Sequence, residues 1–170
     1  MQLAVHLFPR AEQIANIQEI RRQYAPLSDK IPPHVTLVFP FTPHHSAADI
    51  LLHVRSAADR TPPFHVTFEG VSPSDGGYIF LNVIKGADSI ISLHDELYRG
   101  LLSRFLNHQY PYTPHMTLGR LESELDFHRA LLDCKDKVES FSVLVEDIIV
   151  EEIDDEEYSN VIGKFSLRVF

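Results

Sequence analysis

The sequence has no tryptophan, a single cysteine and only seven glycines in 170 residues. One thiol, Cys134, cannot close an internal disulfide, so the core must hold the fold together, and a reducing cytoplasm is the expected compartment. Long apolar runs are missing too: none approaches the roughly 20 residues a bilayer span needs, so no membrane role is expected. The opening MQLAVHLFPR lacks the basic start, the uninterrupted apolar stretch and the small-residue cleavage site of a secretory leader. Basic charge is scarce, with 15 Lys and Arg against 24 Asp and Glu, a formal net charge of -9. That balance opposes tight binding to long nucleic acid, whose affinity comes from neutralising phosphates. A small anionic ligand in a locally positive pocket is compatible with it. There is no His-Glu-x-x-His, no Cys-x-x-Cys and no Gly-x-Ser-x-Gly, so no metal site, no cofactor and no serine nucleophile is read from the chain.

What the chain has in plenty is histidine, ten in all. Residues 31–40 read IPPHVTLVFP and residues 112–121 read YTPHMTLGRL, so Pro-His-x-Thr-Leu occurs twice, each time at the start of an apolar run. Ten histidines and six threonines predict roughly 0.35 His-x-Thr pairs by chance, against three found. The third, His65-Val66-Thr67, has phenylalanine where the other two have proline, and it reads as a histidine on a sheet face without a catalytic part.

Short β-rich runs alternate with helical stretches. Strands are expected over 3–8, 34–39, 64–71, 78–84, 115–121, 141–151 and 161–169. Helices are expected over 11–24, 46–59 with Ser46 as N-cap, 88–105 and 125–137. The acidic stretch 151–157 reads as a solvated loop or hairpin end. LAVHLFPRAEQIANI (3–17) slides onto IFLNVIKGADSIISL (79–93) without gaps, PPHVTL (32–37) onto TPHMTL (113–118), and PFHVTFEGV (63–71) onto SFSVLVEDI (140–148). The expectation is a single bilobal α+β domain over residues 1–170. Its two pseudo-twofold-related β-α-β-α-β halves, about 1–73 and 77–152, carry mostly antiparallel sheets flanking a central cleft, with a final strand at 160–169.

That arrangement gives the double motif a purpose. Residues i and i+2 of a strand share a face, so His34 stands beside Thr36 and His115 beside Thr117. A twofold axis sets the two imidazoles on opposite sides of one reacting atom, where one takes a proton and the other gives one. Each hydroxyl is a donor for a phosphoryl oxygen. His6 aligns with Asn82 and reads as a strand histidine satisfied by a neighbour; His94 reads as structural.

With PHVTL and PHMTL in place, the chain resembles the 2H phosphoesterase superfamily, which includes the bacterial RNA 2′,3′-cyclic phosphodiesterases also called 2′-5′ RNA ligases. The opening LAVHLFP and the late FSVLVEDIIVEE, Tyr158 and KFSL share in the resemblance. It implies metal-independent chemistry on 2′,3′-cyclic or 2′-5′ phosphodiesters, with His34 and His115 catalytic and Thr36 and Thr117 on the phosphate. It implies either a phosphate contact or a surface salt bridge for Arg120, and either base stacking or loop packing for Tyr112. The acidic balance points to a small nucleotide or an RNA end, handled by a monomer. End-joining by the reverse reaction, or nucleotide binding without turnover, are the rival activities.

Overall fold

The computed structural model describes residues 1–169. Ten strands and four α-helices follow in the order β1 (Gln2–Leu7), α1 (Ile14–Tyr24), β2 (Val35–Phe41), α2 (Ala47–Asp59), β3 (Arg60–Thr61), β4 (Phe64–Ser74), β5 (Tyr78–Lys85), α3 (Ala87–Leu97), β6 (His115–Arg120), α4 (Glu124–Lys137), β7 (Phe141–Val145), β8 (Asp147–Ile153), β9 (Ser159–Ser166) and β10 (Arg168–Val169), with a 3-10 helix at Gly100–Phe105. Serine starts two of the helices: Ser46 and Ser123 accept from the amides of Asp49 and Asp126, satisfying donors that a first turn leaves unpaired. Among the described residues, no helix is long and apolar enough to cross a membrane.

Eight strands form one antiparallel sheet in the order β7-β4-β5-β6-β2-β1-β8-β9, and β3 pairs with β10. The order reads alike from the middle outwards: the two motif strands β6 and β2 adjoin, with the first strands β5 and β1 beside them. This is the α+β, two-halved architecture expected from the sequence, curled into one continuous sheet. The two halves of the sheet, β7-β4-β5-β6 and β2-β1-β8-β9, meet among the described residues through a single ladder pair, Val35 with Met116, both fully buried. So thin a seam needs other support, and helices supply it: α1 packs on β6 and α3 packs on β2. One face of the central strands is core, with Leu3, Val5, Leu7, Val35, Ile79, Leu81 and Met116 each no more than 2% exposed.

Several expectations need correction. The helix expected over 88–105 ends at Leu97, because Gly100 takes a left-handed φ of 61° and the chain continues as the 3-10 turn. The strand expected over 141–151 is two strands broken at Glu146. Its first part pairs with β4 at the sheet edge, and its second pairs with β1 in the opposite half. The alignment of 63–71 with 140–148 runs across that break; in the sheet, β4 and β8 occupy corresponding places beside β5 and β1. Residues 161–169 also divide, into β9 and β10. Glu151 does not belong to a solvated loop: it lies inside β8 and is 1% exposed.

Both motif strands carry a bulge directly after the threonine. Thr36 pairs with His6 but Val38 with Val5, leaving Leu37 extra; Phe80 pairs with Thr117 but Ile79 with Gly119, leaving Leu118 extra. Each extra leucine is fully buried. A bulge reverses the alternation beyond it. Arg120, which pairs with Tyr78, therefore returns to the face of Thr117 and His115 instead of pointing into the core. Gly119 makes this possible by letting β6 lie against the end of α1: an added Cβ would stand 2.7 Å from Cβ of Tyr24 and 3.1 Å from its carbonyl oxygen. Gly119→Ala is expected to lower stability by about 1–3 kcal/mol through overpacking, read as an earlier urea midpoint at unchanged slope. An unshifted midpoint would mean that α1 does not bear on the bulge.

Candidate active site

The register at the seam fixes which side chains meet. With Val35 opposite Met116 in an antiparallel pair, His34 lies across from Thr117 and Thr36 across from His115. All four are half-buried, on the face opposite the core residues Val35 and Met116. The two histidines are thus diagonal neighbours, with Cα atoms about 7–8 Å apart. His115 is also near enough to His34 for the charge of one to disfavour protonation of the other.

The prolines explain how the rings are aimed. Pro33 and Pro114 fix φ immediately before each histidine, and their rings hold the preceding residue extended. In both motifs the carbonyl two residues back then meets the imidazole: His34 Nδ1 lies 2.8 Å from the Pro32 oxygen and His115 Nδ1 lies 2.7 Å from the Thr113 oxygen. A carbonyl oxygen only accepts, so each Nδ1 carries a proton and donates it. The tautomer is thereby set, and each Nε2 is left as the atom that takes or gives a proton. The hydroxyls of Thr36 and Thr117 are not hydrogen-bonded to any other group among the described residues.

The surroundings of the two histidines differ. His34 is held well below the usual imidazole range, first by burial and then by the like charges of His6, Arg21 and His115; its bond to the Pro32 carbonyl acts the other way. Burial lowers His115 as well, against the bond to the Thr113 carbonyl. His115 is stacked on Phe80, centroids 3.6 Å apart and planes 19° apart. His34 instead meets the ring of His6 at 4.6 Å and 60°. His6 in turn bonds Glu151, Nδ1 to Oε1, at 2.6 Å.

The remaining candidates divide. Arg120 is exposed on the face of the motif histidines, its guanidinium 5.0 Å from the Tyr78 ring centre, with no carboxylate within ion-pair distance among the described residues. Tyr112 is spent on the scaffold rather than offered to a base. Its ring stacks on His94 at 3.8 Å and 7°, and its hydroxyl donates to the Thr36 carbonyl at 2.7 Å. Tyr98 does a similar service, its hydroxyl accepting from the Phe39 amide at 3.1 Å. Both satisfy β2 backbone groups at a seam whose ladder has one pair. His65 is exposed on β4, with β5 between it and β6. His94 is 4% exposed and bonds Asp95. Among the described residues, no three His, Cys, Asp or Glu side chains are grouped to hold a metal ion.

Sequence reasoning missed the Glu151–His6 contact and the Phe80 stack. Their signal was incomplete: the strand expected over 141–151 already ended on Glu151, but nothing local showed that its side chain turns inward, and Phe80 and Asn82 share a parity next to β6. The bracing role of Tyr112 gives a direct expectation. Tyr112→Phe should cost about 0.5–1.5 kcal/mol of stability by leaving the Thr36 carbonyl without its donor. Chemical denaturation measures this, and an unchanged free energy would contradict the brace.

Comparison with known proteins agrees with this architecture. The family model described as the 2′-5′ RNA ligase superfamily matches residues 8–157. A protein of Bacillus cytotoxicus named "Putative phosphoesterase" is 28% identical over 129 residues, 74% of this chain and 73% of its own length. A Bacillus cereus protein with the same description is 28% identical over 123 residues, 71% and 70% of the two chains. Among solved structures, E. coli LigT complexed with 3′-AMP superposes with a TM-score of 0.67 at 18% identity, covering 98% of this chain and 97% of that one. A Thermus thermophilus protein gives 0.65 at 22% identity, covering 99% of both. These structures share the fold, and the family match spans both histidine motifs: the chain belongs to the 2′-5′ RNA ligase superfamily, the 2H phosphoesterases.

Proposed function

We propose that this protein is a phosphodiesterase that hydrolyses 2′,3′-cyclic, or 2′-5′, phosphodiester bonds of a nucleotide or RNA end, with His34 and His115 as its acid–base pair. One observation carries the reading. Two imidazoles, diagonal neighbours across the seam, are held in the same tautomer by the same backbone bond, which leaves the Nε2 of each uncommitted on the face that also carries two uncommitted threonine hydroxyls. The family match supports phosphoester chemistry. E. coli LigT structures hold 3′-AMP, NADP+, phosphate and ATP, which favours a nucleotide-sized substrate here as well.

The chemistry follows from the atoms. The neutral imidazole takes a proton from water on its Nε2 as the water oxygen bonds to phosphorus. On the far side of the phosphorus, the bond to the ribose oxygen breaks, and that oxygen receives the proton on Nε2 of the other, protonated imidazole. Thr36 and Thr117 hydroxyls donate to the nonbridging oxygens as their charge redistributes, and Arg120 on the same face adds positive charge to an otherwise acidic protein. After one turnover the two histidines have exchanged protonation states, and solvent must restore them before the next.

A screen of 2′,3′-cyclic nucleotides and 2′-5′ dinucleotides in the presence of EDTA, followed by 31P NMR, tests the proposal. Consumption is expected. His34→Ala and His115→Ala should each lose about 10²- to 10⁴-fold, and the double variant should be little worse than the poorer single one. Thr36→Ala or Thr117→Ala should lose about 10- to 150-fold, the worth of one hydrogen bond to a charged group. Saturable binding without consumption would replace catalysis with nucleotide capture, and loss of activity in EDTA would replace the imidazole pair with a metal.

The pH dependence has a definite sign. Both imidazoles are held below the usual value near 6.5. The base becomes neutral at a lower pH than ordinary, which moves the rising limb towards acid. The acid also gives up its proton at a lower pH, which moves the falling limb the same way. The kcat/KM bell should therefore peak below pH 6.5. A bound phosphate anion stabilises both imidazolium forms, so the kcat bell should lie at higher pH than the kcat/KM bell. A kcat/KM maximum above pH 7 would contradict the assignment.

A further inference from the structure

Behind His34 sits a pair of ionisable groups that the proposed reaction does not use. His6 on β1 and Glu151 on β8 are 3% and 1% exposed, and their bond is 2.6 Å long. His6 is the sole hydrogen-bond partner of the Glu151 carboxylate among the described residues. A carboxylate so deeply buried is costly unless a cation faces it, and among the described residues the group in hydrogen-bond contact that could be that cation is the His6 imidazole. An ion pair in this place sums to zero charge, but it is oriented. Its negative end is in β8, and its positive end is the ring that meets His34 at 4.6 Å.

Among the described residues, no buried ion pair stands beside His115. Its neighbour across the β5 ladder is Asn82, whose amide oxygen accepts from Ser72 Oγ at 2.9 Å, and its ring is covered by Phe80. Two histidines related by a repeated motif and an identical backbone bond thus differ in what lies behind them: a salt bridge for one, neutral groups for the other.

We propose that Glu151 and His6 form a positioning pair that keeps a cationic edge against His34, so that His34 enters the reaction neutral as the base while His115 supplies the proton to the leaving oxygen. The assignment of roles rests on the phosphodiesterase reading; the charge asymmetry does not. The other charged groups facing His34 act in the same sense. Arg21 of α1 is 3% exposed, donates to Gln18 Oε1 at 2.6 Å and to the Ile31 carbonyl at 2.8 Å, and is itself lowered to about 10 by burial. His115 of β6 is the third. Among the described residues, Glu151 is the carboxylate paired with His6, and it faces His6 from the side of β8. The direction found for His34, below the usual range and below it in part through His6, agrees with this geometry.

The test reads the histidines one by one. Side-chain 1H–15N correlation spectra are titrated for the full chain, with the His34 signals identified by their loss in His34→Gln. Glu151→Gln removes the negative partner that His6 faces, and the His34 midpoint should rise by about one unit or more while that of His115 stays in place. His6→Gln should move His34 in the same direction. In kcat/KM profiles the rising limb should shift to higher pH by the same amount with the falling limb fixed, a split that a merely structural role would not produce. His6→Phe combined with Glu151→Leu leaves no unpaired buried charge, and it should show the same rise should a single variant fail to fold. A His34 midpoint within a few tenths of the wild type in a folded variant, or a shift of the falling limb alone, would overturn the proposal. If the wild-type protein turned over no cyclic phosphate, the phosphodiesterase reading would fall, and the NMR midpoint would still decide whether the pair controls His34.

Discussion

Each motif histidine gives its Nδ1 proton to the carbonyl of the residue two before it, and the rest of the site depends on that bond. It fixes the tautomer, stops the ring from turning over, and leaves one nitrogen to meet the substrate. The bond exists because a proline stands between donor and acceptor residues and holds the chain in the required bend. The sheet then does for the pair what proline does for each member. Antiparallel pairing of Val35 with Met116 puts both rings and both hydroxyls on one face, at a spacing set by strand geometry rather than by flexible loops.

A site on the seam between two halves has a structural cost. The central ladder is one pair long, and the backbone of β2 near it must be satisfied by other means. Two tyrosine hydroxyls, from Tyr98 and Tyr112, take up the Phe39 amide and the Thr36 carbonyl, and helices from each half pack on the motif strand of the other. The paired bulges after Thr36 and Thr117 complete the design. They leave the leucine of each motif in the core and return Arg120 to the face of the motif histidines. The geometry of the motif face and the stability of the seam are therefore coupled here: the residues that hold the seam shut also hold the imidazoles at their separation.

The strand and helix pattern was largely legible because it rests on local signals. Alternation marked β1, β2, β4, β5 and β6, and a serine cap marked α2. The two motifs announced themselves because histidine and threonine recur at strand parity behind proline. What sequence could not supply was anything depending on contact across the sheet. The strand over 141–151 looked continuous because all of it is β-forming, yet its halves serve opposite ends of the molecule. Glu151 was read as solvated because it opens an acidic run, while its true partner, His6, is 145 positions away. Tyr112 was a candidate for base stacking because nothing local showed that His94 would cover its ring. The bulges that reorient Arg120 are visible only as a slip in pairing between neighbouring strands.

The central claim is that His34 and His115 lie on opposite sides of one phosphorus. A crystal structure with a nucleoside vanadate, a trigonal-bipyramidal mimic of the transferring phosphate, tests it directly. The account predicts one apical oxygen within about 2.6–3.2 Å of His34 Nε2 and the other at the same distance from His115 Nε2, with equatorial oxygens on the hydroxyls of Thr36 and Thr117. Vanadate bound away from the β2–β6 seam, or seated there with both histidines on the same side of the metal centre, would contradict it.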